Sequence, residues 1–480
     1  MSNEQPNIIL IMADQLRLDA LGVHTPNINR LQESSVVFER AYCASPICVP
    51  ARGAFFTGMY PNETGCLINR GEDAHSRVKP ELDHLYGLLD DTWDSWHTGK
   101  QHFRMQGLER AAGSKTTWRK LEGRYEAFLK EHNKRNPGGP SYRGIVPEMA
   151  YGKLTRPKSY SIPTVGCYEE GLDYFIDEFI ARDSVEAIRQ RDVNKPLLLN
   201  AMFHAPHPPL DIPEPWFHAI ESVELPENVG KWCDNQSPLQ LYNLTGAIGT
   251  RYTREEWRQV WKVYLGLVSL LDHCVGRIID ELKRENLYDN SLIIFTSDHG
   301  EMLGSHGLWQ KMCMYEESVH TPLFMKFPAE FKPAAASSDA LVSSIDVVPT
   351  ICDYVGIEPK SPMSGKSLMP LINGQAPVRD RVFIQYDGNG GRGNFSRCIV
   401  EGDYKLIVDL FKDETFIELY NVSSDAQERV NLAFQDDLYR QRIESMLHHL
   451  REHMRRTNDL LELPVRLYDQ FLQDYTEFKI

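Results

Sequence analysis

Residues 7–14, Asn-Ile-Ile-Leu-Ile-Met-Ala-Asp, form a short apolar run that ends in a carboxylate. Two similar runs occur at residues 197–203 and 292–296, and polar residues that include Asp or His follow each of them. Continuous apolar runs of this length are typical of strands that are buried on both faces of a parallel sheet. Because ligands of open α/β sheets bind beyond the carboxyl ends of the strands, the polar residues predict a ligand site at that edge.

The clearest helix of the chain precedes the third apolar run. Thr253 and Glu256 form a capping box that would start it. Apolar residues then recur at three- and four-residue steps as far as Leu282, which is the pattern of a helix with one buried face. A helix, a tight turn and an apolar strand in this order indicate a βαβ crossover, and therefore an α/β fold with a mostly parallel sheet.

The remaining segments predict a second, smaller unit. Residues 130–165 are rich in Lys, Pro, Gly and Ser and suggest a long surface insertion, and residues 328–340 suggest another loop. From about residue 380 the sequence predicts four short strands with tight turns, and then a helix over residues 436–455. The strands are expected at residues 382–386, 396–401, 404–410 and 415–420. We predict a larger domain at residues 1–375 and a C-terminal α+β subdomain with an antiparallel sheet at residues 376–480.

Composition excludes some partners. The chain has 480 residues and a net charge of −15, which argues against nucleic acid or an anionic membrane as the main partner. The N-terminal apolar run is too short for a signal sequence or a membrane span, so we expect a cytoplasmic protein. The nine cysteines contain no C-x-x-C pair, and we expect all of them except Cys48 to be reduced, mostly buried thiols.

Cys48 lies in the sharpest local feature, the segment Cys48-Val49-Pro50-Ala51-Arg52. Proline is well tolerated in the first turn of a helix, so the segment predicts that Cys48 stands at a helix N-terminus. Backbone donors and the helix dipole favour an anion there, and Arg52 is one turn away. On these residues alone, Cys48 could be an activated cysteine or a buried structural thiol.

The segment from Cys48 to Gly58 resembles the type I sulfatase signature C-x-P-x-R-x-x-x-x-T-G and matches it at every fixed position. Further segments resemble the same family in the same order. They are residues 6–14, 25–31, 99–103 (Gly-Lys-Gln-His-Phe), 205–209 (Ala-Pro-His-Pro-Pro), 296–301 (Thr-Ser-Asp-His-Gly-Glu), 303–311 and 418–433. The resemblance implies an alkaline phosphatase-like fold, in which helices sandwich a large, mixed, mostly parallel sheet, with residues 1–375 as the catalytic domain.

The resemblance also implies a metal site. The pairs Asp14-Gln15 and Asp298-His299 are similar to the branch that contains choline sulfatases and phosphonate monoester hydrolases, whereas many sulfatases have Asp-Asp and Asp-Asn. The implied ligands of one divalent metal are Asp14, Asp298, His299 and the group made from Cys48, with Gln15 behind them. Ca²⁺ ranks first by resemblance, although this donor set also suits Mg²⁺ or Mn²⁺.

In that family a separate formylglycine-generating enzyme oxidises the cysteine to formylglycine, and the aldehyde hydrate supplies the attacking oxygen. The resemblance implies that Arg52 stabilises this oxygen. Lys100, His207 and Lys311 would bind the sulfate oxygens, and His207 or Lys311 would protonate the leaving alcohol. His102 would then take a proton from the remaining hydroxyl, which expels sulfate.

These residues favour the hydrolysis of a sulfate monoester, of a small molecule or a saccharide. An alternative is a phosphonate monoester or phosphodiester hydrolase with the same nucleophile. An alternative of another class is a sulfatase-like binding protein in which Cys48 stays a thiol. The sequence does not choose the leaving alcohol, and it leaves a homo-oligomer open.

Overall fold

The computed structural model of the chain describes residues 5–69, 74–108, 115–139, 142–150, 153–389 and 394–476. Its main sheet has eight strands in the order β12-β2-β11-β10-β1-β8-β3-β4. Their bounds are β1 (Asn7–Asp14), β2 (Val36–Tyr42), β3 (Asp94–Gly99), β4 (Thr117–Lys120), β8 (Leu197–Pro206), β10 (Ser291–Ser297), β11 (Leu323–Lys326) and β12 (Ser337–Ser343). Small two-stranded sheets pair β5 (Arg143–Ala150) with β6 (Lys153–Ser161) and β7 (Val165–Cys167) with β9 (Leu210–Ile212).

The three apolar runs become the central strands of the main sheet. β1 pairs in parallel with β10 on one side and with β8 on the other. β11 is antiparallel to both β10 and β2, and the other neighbouring pairs are parallel. The predicted fold class, an α/β protein with a large, mixed and mostly parallel sheet, is confirmed.

Helices cover both faces of this sheet. Their bounds are α1 (Pro26–Glu33), α2 (Cys48–Thr57), α3 (Pro61–Thr64), α4 (Leu85–Leu89), α5 (Arg124–Glu131), α6 (Ile176–Gln190), α7 (Leu244–Ala247), α8 (Arg254–Arg284), α9 (Glu316–Val319), α10 (Val347–Val355) and α11 (Met369–Ile372). Alternate residues of β1 point to opposite faces, as expected of a strand. Ile9 and Ile11 pack in a core with α6 and α8, whereas Ile8 and Leu10 pack in a core with α2 and α10.

The predicted helix is α8, and its capping box is present. The Thr253 backbone N–H donates to Glu256 Oε2 at 2.7 Å, and the Glu256 N–H donates to Thr253 Oγ1 at 3.3 Å. Helices α6 and α8 cover the same face of the sheet. Along the chain, α8 follows β8 and precedes β10, so β8, α8 and β10 form the predicted βαβ crossover. Within the described part of the chain, no helix is long and apolar enough to cross a membrane.

Two predicted loops contain strands. The 130–165 insertion includes the hairpin of β5 and β6, whose strands pair only with each other among the described strands. The sequence there lacks the period of two that would have indicated strands. β12 begins at Ser337, inside the predicted 328–340 loop. It is an edge strand whose first residues are partly exposed and polar, so its sequence resembles a loop.

The C-terminal part contains the predicted antiparallel sheet. β13 (Arg381–Tyr386), β14 (Phe395–Glu401), β15 (Tyr404–Phe411) and β16 (Glu414–Asn421) pair in sequence order. Helices α12 (Asp436–Arg456) and α13 (Leu467–Thr476) pack against this sheet in a core that also includes Ala54 of α2, Tyr60 and Ile345. Another core joins the sheet to residues 302–319 of the larger part. The domain boundary at residues 375/376 stays a prediction.

Lys405 on β15 connects the C-terminal sheet to residues 302–319 through buried ion pairs. Its side chain is fully buried, and its Nζ lies 2.7 Å from Glu316 Oε1 and 2.8 Å from Glu428 Oε1. Removing one member of a buried charge cluster leaves the others uncompensated. We therefore expect Lys405→Met to lower the free energy of unfolding by about 3 kcal/mol, measured by chemical denaturation. Lys412→Met, at the exposed turn after β15, is the control, and equal stability of the two variants would contradict this role.

Candidate active site

The ends of two strands and the start of one helix meet at one buried cluster of four side chains. Asp14 is the last residue of β1, Asp298 and His299 follow β10, and Cys48 is the first residue of α2. One ligand atom from each of the four residues lies within 4.8 Å of all the others. Because β1 and β10 are parallel neighbours, their carboxyl ends necessarily bring Asp14 and Asp298 together. The predicted residues therefore lie together at the carboxyl edge of the sheet.

Helix α2 is held rigidly, since all ten of its residues are buried. It ends at Gly58, which has a φ of 66° and where a Cβ atom would lie 2.8 Å from Met363 Sδ. This close approach explains the glycine of the motif. At the other end, the Cys48 thiol lies 3.2 Å from His299 Nε2 and 3.8 Å from Asp14 Oδ1. Cys48 therefore stands at a helix N-terminus, as predicted.

The electrostatic surroundings set Cys48 apart from the other cysteines. Burial and Asp14 act to raise its pKa, but Lys311, Lys100 and His299 outweigh them and hold the pKa of the Cys48 thiol below its ordinary value. Burial raises the pKa of each of the other eight cysteines. A lowered pKa is the physical mark of a reactive cysteine, whereas raised values are typical of inert thiols.

Arg52 and Lys100 neutralise the carboxylates of the cluster. Arg52 is fully buried and donates from Nε to Asp298 Oδ2 at 2.9 Å and from Nη2 to Asp14 Oδ2 at 3.0 Å. Lys100 Nζ lies 2.6 Å from the same Asp14 oxygen. Burial acts to raise the pKa of Asp14, yet the positive charges of Lys100, Arg52 and Lys311 hold it well below its ordinary value. Asp14 is therefore ionised in the folded protein.

Lys311 reaches the cluster through Gln15. Its Nζ donates to Gln15 Oε1, and Gln15 Nε2 donates to Glu301 Oε2. The Gln15 backbone N–H donates to Asp298 Oδ1 at 3.2 Å, so Gln15 is in direct contact with the four-residue cluster. Sequence reasoning missed Glu301 as a participant. The available signal was its position two residues after His299, on the same loop.

The two predicted histidines lie in the electric field of this cluster. Burial and Lys100 lower the pKa of His102, and burial, Lys100 and Lys311 lower the pKa of His207. His102 Nε2 lies 4.0 Å from Glu122 Oε1. The His207 ring is 4.9 Å from the ring of His204. Both imidazoles are therefore neutral in the folded protein.

The cluster fits a divalent metal. Two carboxylates and an imidazole are donors that hard or borderline divalent cations accept, and ligand atoms on one ion are commonly less than about 5 Å apart. His299 Nδ1 lies 2.9 Å from the Gly300 carbonyl oxygen. Since that carbonyl can only accept, Nδ1 carries the proton and Nε2 is free to face the cluster, which is the arrangement found behind metal-bound histidines.

Fold and site together place the protein among the hydrolases with an alkaline phosphatase-like sandwich. In comparisons with known proteins, the chain is 26% identical to an arylsulfatase of Clostridium perfringens, over 92% of each protein. It is 28% identical to a choline-sulfatase of Rhizobium meliloti, over 90% of this chain and 83% of that protein. Among solved structures, the phosphonate monoester hydrolase of Agrobacterium radiobacter superposes with a TM-score of 0.76 at 22% identity, covering 94% of this chain and 96% of that one.

The chain belongs to the sulfatase family, because the family model described as Sulfatase matches residues 6–357. A second model, described as N-sulphoglucosamine sulphohydrolase, C-terminal, matches residues 304–457. The family and its named relatives make the protein a sulfuric ester hydrolase. The predicted resemblance and enzyme class are confirmed.

Proposed function

We propose that the protein hydrolyses a sulfate monoester to an alcohol and inorganic sulfate, with a formylglycine made from Cys48 and one divalent metal. The observation that carries this proposal is the position of Cys48. It stands at a helix N-terminus, 3.2 Å from His299 Nε2, and its pKa is lowered while that of every other cysteine is raised. A formylglycine-generating enzyme that recognises the motif is the expected partner during maturation.

Asp14, Asp298, His299 and the oxygen that replaces the Cys48 sulfur would hold the metal. Ca²⁺ is our first choice by family, with Mg²⁺ and Mn²⁺ as the alternatives. The metal would act as a Lewis acid, and the hydrated aldehyde would supply the oxygen that attacks sulfur. Arg52, which already bridges Asp14 and Asp298, fixes both carboxylates and adds a permanent positive charge beside that oxygen.

Lys100, Lys311 and His207 are proposed to bind the non-bridging sulfate oxygens. Lys100 Nζ lies 2.6 Å from Asp14 Oδ2, Lys311 Nζ donates to Gln15 Oε1, and both positive charges lower the pKa of Asp14. Positive groups that are already oriented stabilise the charge that develops on these oxygens without the cost of reorganising water. This arrangement explains how a protein with a net charge of −15 can bind an anionic ester.

The directions of the histidine pKa shifts support one choice of acid and base for the two proton transfers. The lowered pKa of His207 keeps its ring neutral, so Lys311 is the better donor of a proton to the leaving alcohol. The lowered pKa of His102 also keeps that ring neutral. A neutral imidazole can accept a proton, which is what the removal of the remaining hydroxyl proton requires. We therefore propose Lys311 as the acid and His102 as the base.

Phosphonate monoester hydrolysis is the second candidate, favoured by the Asp14-Gln15 and Asp298-His299 pairs and by the superposition on a phosphonate monoester hydrolase. A comparison of kcat/KM for 4-nitrophenyl sulfate and 4-nitrophenyl phenylphosphonate distinguishes the two functions, because both esters have the same leaving group. We expect the sulfate ester to react at least about tenfold faster, a difference of about 1.4 kcal/mol in transition-state binding. Faster cleavage of the phosphonate would overturn our first choice.

A further inference from the structure

A cavity of about 540 Å³ opens beside the sulfate-binding side of the site. His207 and His204 form part of its wall, so the cavity adjoins the place where the ester bond would lie. Aromatic and aliphatic side chains form much of the remaining wall, among them Tyr125, Phe175 and Leu267. A cavity of this size and lining is suited to a small organic group rather than to water alone.

Asp177, a residue that lines this cavity, has one carboxylate oxygen without a partner. Asp177, at the start of α6, is fully buried. Its Oδ1 accepts the backbone N–H groups of His204 and Ala205, both at 2.8 Å. Its Oδ2 has no hydrogen-bond partner among the described residues. An unpaired buried carboxylate oxygen is costly, so its presence in a cavity wall points to a ligand that completes it.

The charges in the wall are also unbalanced. Glu122 lines the cavity together with Asp177, and burial raises the pKa of Glu122 above its ordinary value and that of Asp177 to about 7. The guanidinium of Arg135, which lines the cavity, is engaged elsewhere, because its Nη1 lies 2.5 Å from Asp211 Oδ2. The histidine at position 204 is neutral, since burial lowers its pKa to about 3. Within the described wall, the carboxyl groups of Asp177 and Glu122 therefore have no cationic partner, and a bound cation would favour their ionised forms.

We propose that this cavity holds the leaving alcohol of the sulfate ester, and that this alcohol carries a protonated amine bound by Asp177 Oδ2 and Glu122. The inference rests on the proposed function and names the substrate class of the same site. An ammonium group supplies both what Oδ2 lacks, an N–H donor, and the missing positive charge. Aromatic walls favour the apolar body of such an alcohol and its cation. A leaving group with further sulfate or carboxylate groups would be repelled.

Four aryl sulfates of similar size test this preference on full-length protein that carries the formylglycine. They are the 4-(aminomethyl)phenyl, 4-(hydroxymethyl)phenyl, 4-ethylphenyl and 4-(carboxymethyl)phenyl esters. We expect kcat/KM for the aminomethyl ester to exceed that for the ethyl ester by at least about tenfold, because a hydrogen bond to a charged group is the stronger kind. The carboxymethyl ester should be the poorest substrate. An ethyl or hydroxymethyl ester that reacts as fast as the aminomethyl ester would overturn the proposal.

The variant Asp177→Asn tests whether Asp177 Oδ2 causes the preference for the aminomethyl ester. Asparagine can keep Oδ1 as the acceptor of both backbone N–H groups and places an N–H donor where Oδ2 was. We expect the aminomethyl-to-ethyl ratio to fall by at least about tenfold. Glu186→Gln, on the half-exposed side of the same helix, is the matched control and should leave the ratio unchanged. An unchanged ratio in correctly folded Asp177→Asn contradicts the assignment, and Glu122→Gln provides a second variant if Asp177→Asn does not fold.

A binding measurement with the alcohol product tests the cavity assignment independently of the proposed hydrolysis. Calorimetry with 4-(aminomethyl)phenol requires no turnover, and we expect its Kd to rise by at least about tenfold in Asp177→Asn. If the converted protein hydrolyses none of the esters but binds the amine in this manner, the proposed function fails and the cavity assignment stands. If the esters are hydrolysed without preference and the Kd is unchanged, the cavity assignment fails alone.

Discussion

Cys48→Ala is expected to abolish sulfate ester hydrolysis, lowering kcat/KM by about 10⁴-fold or more. The reason is that alanine cannot be converted to an aldehyde, so no attacking oxygen forms at the N-terminus of α2. The other groups, including Arg52 and Lys100, would remain in place, because the change is small and their contacts with Asp14 and Asp298 do not involve Cys48. The measurement is kcat/KM for 4-nitrophenyl sulfate, with the melting temperature as a check on folding.

Cys352→Ala is the matched control for this variant. Cys352 lies on α10, is 2% exposed and has a pKa raised by burial to about 11. Its replacement should cost about 1 kcal/mol of stability and leave kcat/KM within about twofold of the parent. Hydrolysis by folded Cys48→Ala at a rate close to that of the parent protein would remove Cys48 from the mechanism.

Asp298→Asn is expected to have the second largest effect and to lower kcat/KM by about 10³-fold or more. Even the replacement of a residue that only orients a metal ligand commonly lowers metal affinity or activity by about 10- to 100-fold. Asp298 is a proposed ligand and also the partner of Arg52 Nε at 2.9 Å. The amide would leave the buried Arg52 guanidinium with Asp14 as its remaining carboxylate partner in the cluster. Metal content by elemental mass spectrometry should fall together with the activity.

The exposed Asp289, in the turn before β10, provides the control Asp289→Asn. Treatment of the parent protein with EDTA should have the same effect as Asp298→Asn, and adding back Ca²⁺, Mg²⁺ or Mn²⁺ separately would identify the ion. Full metal content and full activity in Asp298→Asn would contradict the proposed ligand set. Restoration by Mn²⁺ alone would instead correct our ranking of the metals.

The central strands and the residues of the buried four-residue cluster could be predicted because their signals are local. An apolar run such as residues 7–12 is long enough to indicate a buried strand by itself, and the carboxyl end of a parallel strand fixes where Asp14 must lie. Cys48 and Arg52 are separated by one helical turn, so their proximity follows from helix geometry. The antiparallel C-terminal sheet was equally predictable, because tight turns such as that at Gly402 separate its strands.

Features that depend on distant residues could not be predicted. The contact of Gln15 with Lys311 and Glu301 joins segments almost 300 residues apart, and no local sequence pattern predicts it. The unpaired Oδ2 of Asp177 is visible only once α6 and the end of β8 are packed together. β12 escaped prediction for a different reason, since a polar edge strand lacks the apolar pattern of a central one.

The mass of the peptide that contains Cys48 is the most direct test of the account, measured on protein produced together with a formylglycine-generating enzyme. Conversion removes sulfur and two hydrogens and adds one oxygen, so the account predicts a peptide about 18 Da lighter than its cysteine form. The lighter peptide should also react with a hydroxylamine probe for aldehydes, and its fraction should parallel kcat for 4-nitrophenyl sulfate. An intact cysteine in protein that hydrolyses the ester would contradict the proposed nucleophile, and an intact cysteine in inactive protein would favour a sulfatase-like binding protein.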